Sequence, residues 1–257
     1  MNESNSEKGK NILLNKSLDI LSCFTKDRPW LGVIEISKML DLNKSNVHNI
    51  LKTLESYGYV QQDIVTSKYA LGYEILKRSY AVTSTMTHYD KIIPHLRFLA
   101  EQTKEVAYYA ILYDYNVLYL EQVTVANTLT LLASRPMAGL TAPLYCTSLG
   151  KAMLAFMPEE YIEQVLNMPR IAFTDTTITD REKLYKELVR VKNLGYAVDN
   201  AEHDIGIKCV GVPLLDAKQN LVGAISLVGL ASRYTDEAIA NYAKIMMEQS
   251  FQLRNKL

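Results

Sequence analysis

Apolar residues in the first third of the chain recur at steps of three and four. Leu14, Leu18, Leu21 and Phe24 fall on one helical stripe. After the polar break Lys26-Asp27-Arg28 and the Pro29-Trp30 pair, Val33, Ile36 and Leu40 mark a second stripe, and Val47, Ile50, Leu51 and Leu54 a third. Only Asp41-Leu42-Asn43 separates the last two helices. Asn43 or Ser45 is placed to accept the unpaired N–H groups at the start of the third helix, and Gly58 to end it in a left-handed conformation. Tyr59 to Asp63, a polar turn at Val65-Thr66-Ser67, and Lys68 to Leu71 then read as a short hairpin closed by Gly72. Helix, tight turn, helix and hairpin in this order predict a winged helix-turn-helix.

The pattern changes after the hairpin. Glu74 to Met86 reads as a helical connector of mixed polarity, and a helix from about His88 to Gln102 follows. Val106 to Tyr113 and Val117 to Val123 are strongly β-prone, joined at Asp114-Tyr115-Asn116, with a third run at Thr128 to Ala133. Thr179-Asp180-Arg181-Glu182 predicts the start of a helix that Gly195 terminates. Tyr196 to Asn200, Cys209 to Asp216 and Leu221 to Val228 are further short strands, and Thr235 caps a last helix reaching about Leu253. Six strands and several helices in non-alternating order predict an α+β domain with a mostly antiparallel sheet. The expected division is a flexible tail at 1–11, a three-helix winged helix-turn-helix at 12–72, a linker helix at 73–86 and a second domain at 87–257.

Composition narrows this picture. At 257 residues and 48% hydrophobic content, the chain is long enough for two cored domains. No apolar run approaches membrane-spanning length, and Met1 to Lys10 is polar without the apolar centre of a signal peptide. Three cysteines, Cys23, Cys146 and Cys209, are odd in number and far apart. They predict neither disulfides nor a metal site, and a reducing cytoplasm. No cofactor is expected. Equal numbers of basic and acidic residues, 28 each, lack the excess of base expected for coating phosphates, although a small docking module on a neutral domain, doubled by dimerisation, escapes that objection.

The third helix carries the chemistry of the first domain. With Val47, Ile50, Leu51 and Leu54 inward, Lys44, Ser45, Asn46, His48, Asn49 and Lys52 point outward, and Lys68 joins them from the hairpin. Asn pairs bidentately with adenine, and Lys or Ser meets guanine or phosphate, in the major groove of double-stranded DNA. In the second domain, Pro143 to Ala155 is a polar loop running into a helix near Leu149, whose unpaired N–H groups suit a carboxylate. The simpler reading makes Thr147 and Ser148 caps and Cys146 a small core residue. Asp199 and Cys209 bracket a loop between two strands. Seventeen tyrosines against five phenylalanines, four of them (Tyr108, Tyr109, Tyr113 and Tyr119) in the first two strands, fit either β propensity with hydroxyls in water or a phenol-lined pocket, the latter if Tyr109 faces inward.

These two segments, with Ala224 to Gly229, Leu31 to Asp63 and Tyr69 to Gly72, resemble the IclR-type bacterial transcriptional regulators over nearly the whole chain. The resemblance implies a homodimer or dimer of dimers, acting as a repressor or activator, with a linker helix and a GAF-like C-terminal domain that binds a small carboxylic or sugar acid. It implies ligand contacts at the Ser148 and Leu149 amides, Asp199, Cys209 and Ser226. Three positions depart from the pattern. Val228 stands where regulators sensing glyoxylate or pyruvate carry Ser, Leu149 where a small residue is usual, and Asn49 where the recognition helix usually carries Arg. Two other readings exist: a thiol sensor using Cys146 or Cys209, and a hydrolase with Cys146 or Ser148 as nucleophile, His203 as base and Asp199 as orienter.

Overall fold

A computed structural model of the protein describes residues 11–86, 88–125 and 137–257. The chain divides into two compact units, residues 1–86 and 87–257. Residues 1–10 of the tail expected at 1–11, and the expected strand at Thr128 to Ala133, lie outside the described residues, whereas Asn11 caps α1.

The first unit contains α1 (Ile12–Ser22), α2 (Val33–Leu40), α3 (Lys44–Ser56), β1 (Val60–Gln62), β2 (Tyr69–Leu71) and α4 (Glu74–Ser84). Its core is Ile20, Cys23, Phe24, Leu31, Ile36, Val47, Ile50, Leu51, Val60 and Tyr69. The stripe expected on the first helix is corrected here. Leu14 and Leu18 are exposed, with Ile12 and Leu13, because only the last turn of α1 reaches the core, through Ile20, Leu21 and the following Cys23 and Phe24. The turn into α3 is held by Asp41 in the left-handed region and by Ser37 Oγ donating to the Leu42 carbonyl at 2.6 Å. Asn43 is the cap, its side chain accepting from Ser45 N at 3.0 Å. At the other end Gly58 has φ +75°, Tyr59 N donates to Leu54 O and Gly58 N to Glu55 O, so two late carbonyls of the helix are satisfied as the chain turns into the wing. The wing pairs Val60 with Leu71 and Gln62 with Tyr69, and Leu31 adds a bridge to Tyr69 from the far side.

The second unit begins with α5 (Tyr89–Thr103) and continues with β3 (Val106–Tyr113), β4 (Asn116–Val123), β5 (Thr141–Pro143), α6 (Ser148–Leu154), α7 (Glu159–Leu166), α8 (Arg181–Leu194), β6 (Ala197–Asn200), β7 (Ile207–Leu215), β8 (Leu221–Leu230) and α9 (Asp236–Arg254). The six strands lie in the order β5-β4-β3-β8-β7-β6, every neighbouring pair antiparallel. Sequence reading missed β5 and α7. Three residues are too few to show a period, and α7 begins behind Pro158 with no capping side chain. The hairpin between β3 and β4 turns on Asp114 and Tyr115 alone, both at positive φ.

Alternation along the strands builds two cores. Ala107, Tyr109, Val210, Val212, Ile225 and Leu227 face α5 and α9, against Ile92, Leu96, Met246 and Leu253. Val106, Tyr108, Ala110, Tyr119, Ala224 and Val228 face the other way, against Leu149, Met153, Leu184 and Leu188 of α6 and α8. Tyr109 therefore points away from α6. The phenols on the α6 side are Tyr108 and Tyr119.

Candidate functional site

The outward face of α3 is where its amphipathic pattern places it. Lys44, Ser45, Asn46, His48, Asn49 and Lys52 are all exposed. They are not equally available. Lys52 Nζ contacts Glu55 Oε2 at 2.8 Å and Gln62 Oε1 at 3.0 Å, which ties the helix to the wing, and Lys68 is partly buried with its ammonium 3.2 Å from Glu35. Both charges are partly neutralised within the unit. Lys44 makes no ion pair among the described residues. Asn46 and Asn49 stand on the flank that faces α1, where with Ile12, Leu13, Lys16, Ile50 and Thr53 they line an open groove of about 500 Å³.

In the second unit, α6 starts at Ser148 over the middle of the sheet. Thr147 caps it by accepting from Gly150 N at 3.0 Å. The Ser148 and Leu149 N–H groups find no acceptor among the described residues, although both residues are buried. Gly211 on β7 permits this close seat: a Cβ there would lie 2.5 Å from Ser148 O and 3.0 Å from Leu149 N. Gly211 pairs with Ala197 on one side and Ser226 on the other, and Ser226 pairs with Tyr108. In the adjacent row Asp199 pairs with Cys209, and Cys209 with Val228. Ser148, Leu149, Asp199, Cys209 and Ser226 are thus gathered on the α6 face of three neighbouring strands. The Ser226 hydroxyl is buried and has no partner among the described residues.

Charge in this place is strongly shaped by burial. Asp199 is 3% exposed, and its pKa rises to about 6, chiefly because burial disfavours the carboxylate. The Glu202 N–H, donating to Oδ1 at 2.7 Å, opposes the rise. Cys209 Sγ lies 3.8 Å from Asp199 Oδ2, and burial followed by Asp199 pushes its thiol well up; burial likewise pushes Cys146 up to about 12. Tyr108 and Tyr119 meet edge to face with centroids 5.5 Å apart, their hydroxyl pKa values raised by burial and then by Cys209.

Two residues that sequence reading passed over hold this arrangement together. Lys151, fully buried on α6, is ion-paired with the buried Glu202 and lies 3.6 Å from Glu187 of α8. Glu202 thereby links the helix bearing Ser148 to the loop bearing Asp199. Its backbone carbonyl accepts from Thr177 Oγ1 at 2.6 Å, and Thr174 Oγ1 donates to the Ala201 carbonyl at 2.7 Å. The available signal was Lys151 between Gly150 and Ala152 on an otherwise apolar helix. His203 is turned to other work: Nδ1 lies 2.9 Å from Asp204, and the ring packs on Phe173. Neither Cys146 nor Ser148 is hydrogen-bonded to His203 among the described residues, so the nucleophile and base of the hydrolase reading do not meet.

The family model for the C-terminal domain of IclR bacterial transcriptional regulators matches residues 80–254, and that for the IclR helix-turn-helix domain matches residues 13–63. The chain belongs to the IclR family. Among its relatives, the HTH-type transcriptional regulator XynR of Escherichia coli is 29% identical over 95% of this chain and 96% of its own length. The IclR structure from Thermotoga maritima superposes with a TM-score of 0.75 at 29% identity, covering 95% of this chain and 98% of that one. An IclR homologue from Microbacterium hydrocarbonoxydans, crystallised with 4-hydroxybenzoate, superposes at TM-score 0.81 with 21% identity over 94% and 97% of the two chains, a likeness of fold. The protein is a DNA-binding transcriptional regulator of this family, as its relatives are. No helix among the described residues is long and apolar enough to cross a membrane.

Proposed function

We propose that this IclR-family chain is a cytoplasmic repressor that releases or re-seats on double-stranded operator DNA when a small carboxylic or sugar acid binds its second unit. One observation carries the reading. Two buried amides, of Ser148 and Leu149, lack acceptors directly beside Asp199, Cys209 and the partnerless Ser226 hydroxyl. Buried donors are rarely left unmet, so an anionic acceptor belongs there. The 4-hydroxybenzoate of the Microbacterium homologue supports an organic acid in this role.

On the DNA side, Lys44, Ser45, Asn46, His48, Asn49 and Lys52 of α3, with Lys68 of the wing, form the reading surface. A second copy is part of the reading. Ile12, Leu13, Leu14 and Leu18 give α1 an exposed apolar flank, as expected for a homodimer or dimer of dimers that presents two α3 helices to successive half-sites. The residues 73–86 act as linker, and the effector shifts the populations of two arrangements of the pair. The thiol-sensor alternative is disfavoured because burial keeps Cys146 and Cys209 protonated, whereas the oxidisable species is the thiolate.

Thermal shift of the full chain against small carboxylic and sugar acids tests the effector claim, since a ligand bound only by the folded state raises its melting temperature. An acid that raises it in the wild type and fails with Asp199→Ala is the expected result. Failure of every acid to alter melting, operator affinity or footprint refutes it. Cys146→Ser and Cys209→Ser variants that still respond to an organic acid remove the thiol-sensor reading, and variants that lose a response evoked by oxidant in the wild type establish it instead.

A further inference from the structure

The hairpin that follows α3 carries two almost wholly exposed apolar residues at its tip. Ile64 is 96% and Val65 91% exposed, in a turn, where polar residues are the rule. The turn is tightly held. Thr66 donates from its backbone N–H and its hydroxyl to Asp63 Oδ1, each at 2.7 Å, Ser67 N donates to Asp63 O at 2.8 Å, and Gln62 Nε2 to Ser67 O at 3.0 Å. Through Lys52 Nζ, 3.0 Å from Gln62 Oε1, the same turn is anchored to the flank of α3. Charge gives the tip no hold on phosphate: Asp63 is acidic and turned back on Thr66, and the Lys68 ammonium lies 3.2 Å from Glu35. What the tip offers is two branched apolar side chains on a fixed support beside the outward face of α3.

We propose that Ile64 and Val65 seat in the minor groove of the operator beside the half-site read by α3, and there select A·T over G·C pairs by shape. The inference rests on the assignment of α3 to the major groove and adds to it a second element of sequence reading. An α-helix with its side chains has a radius of about 5 Å, and the three residue steps from Gln62 to Val65 extend about 10 Å at most. The tip therefore stands up to roughly 15 Å from the α3 axis. That is near the ~17 Å, half a helical turn, between the middle of a major groove and that of the minor groove beside it. Over A·T pairs the minor-groove floor shows only the adenine N3 and thymine O2 acceptors, whereas G·C adds the guanine N2 amino group. An apolar tip fits against the first and leaves the second, a protruding hydrated donor, without an acceptor. The contact uses apolar surface alone and leaves the ionic part of binding untouched.

Fluorescence anisotropy of the full chain on a duplex selected from a randomised library tests this, with Ile64→Ser/Val65→Ser as the variant. Both side chains are exposed, so an unchanged melting temperature verifies that the fold is intact. The variant is expected to bind about tenfold more weakly, the effect of roughly 60 Å² of apolar surface no longer removed from water, with the slope of log affinity against log salt unchanged. In the wild type, 2,6-diaminopurine·T in place of A·T at pairs flanking the half-site adds the minor-groove amino group and should weaken binding. Inosine·C in place of G·C removes that group and should strengthen it. The variant should respond to neither. The inference is overturned if the variant binds like the wild type, if its salt slope falls together with its affinity, or if the wild type is indifferent to both analogues at every flanking pair. Unchanged DNA affinity with an altered oligomeric state in sedimentation assigns the tip to a contact between chains and overturns it too. Lys44→Ala and Asn46→Ala keep the two readings apart. If they weaken binding and the tip variant does not, this inference alone fails; if none of the three weakens binding, the α3 reading fails with it.

Discussion

Asp199 is held at a disadvantage by the fold, and replacing it with Asn should show this as a gain in stability with a defined pH window. Its pKa in the folded chain is about 6 against 3.8 for the free side chain, so folding favours the protonated form. A carboxylate whose folded-state pKa is raised binds protons more tightly folded than unfolded. Its unfavourable contribution is therefore complete above about pH 6, shrinks as pH falls towards 4, and vanishes below. Roughly two pK units correspond to about 3 kcal/mol at pH 8. Asn is isosteric, stays neutral, and keeps an oxygen for the Glu202 N–H. Asp199→Asn is expected to stabilise the second unit by about 1–3 kcal/mol at pH 8, an increase of about 2–12 °C for a unit of this size. At pH 4 no difference remains. Scanning calorimetry from pH 4 to 8.5 measures this, and fluorescence of the single Trp30, which lies in the first unit, provides an internal control that should not move. A variant that is less stable at pH 8, or whose gain is the same at pH 4 and pH 8, refutes the burial argument.

The same group makes effector binding proton-linked: an anion beside Asp199 raises its pKa further, so wild-type affinity for the acid should fall as pH rises from 6 to 8 and become flat in Asp199→Asn, as titration in buffers of different ionisation enthalpy would show. Gly211→Ala drives a methyl to 2.5 Å from Ser148 O and should abolish acid-induced thermal stabilisation, with a loss of about 1–3 kcal/mol of stability by denaturant melting; an unchanged acid response would detach the effector from this seat. Lys151→Met leaves Glu202 buried without its cation and should destabilise the second unit by about 3–5 kcal/mol, most of it regained in Lys151→Met/Glu202→Gln. On DNA, Lys44→Ala should reduce the slope of log affinity against log salt by about 1, whereas Lys68→Ala, whose charge already sits on Glu35, should change it less; equal effects would contradict the pairing seen here.

The parts of the fold legible in sequence are those governed by local patterns. Val47, Ile50, Leu51 and Leu54 set the buried face of α3, and Asn43 and Gly58 set its ends, because apolar period and capping chemistry act over one or two turns. The exposure of Leu14 and Leu18 was not legible, since a periodic apolar stripe records that a face can be buried and not how much of it a three-helix core reaches. Tyr108 and Tyr109 differ by one residue and face opposite cores, so which phenol faces α6 depended on sheet register. The gathering of Ser148, Asp199, Cys209 and Ser226 came from resemblance to a family. Lys151 and Glu202, 51 positions apart, share no local signal, and only the tertiary fold pairs them.

The decisive question is whether an acid in the second unit alters the hold of the first on DNA. The most direct measurement is the affinity of the full chain, by fluorescence anisotropy, for a duplex selected from a randomised library, with and without a saturating acid whose binding calorimetry has established. Coupling of ordinary allosteric size predicts a change in affinity of about fivefold or more, lost in Asp199→Ala. An acid that demonstrably binds while operator affinity and footprint stay the same would contradict it.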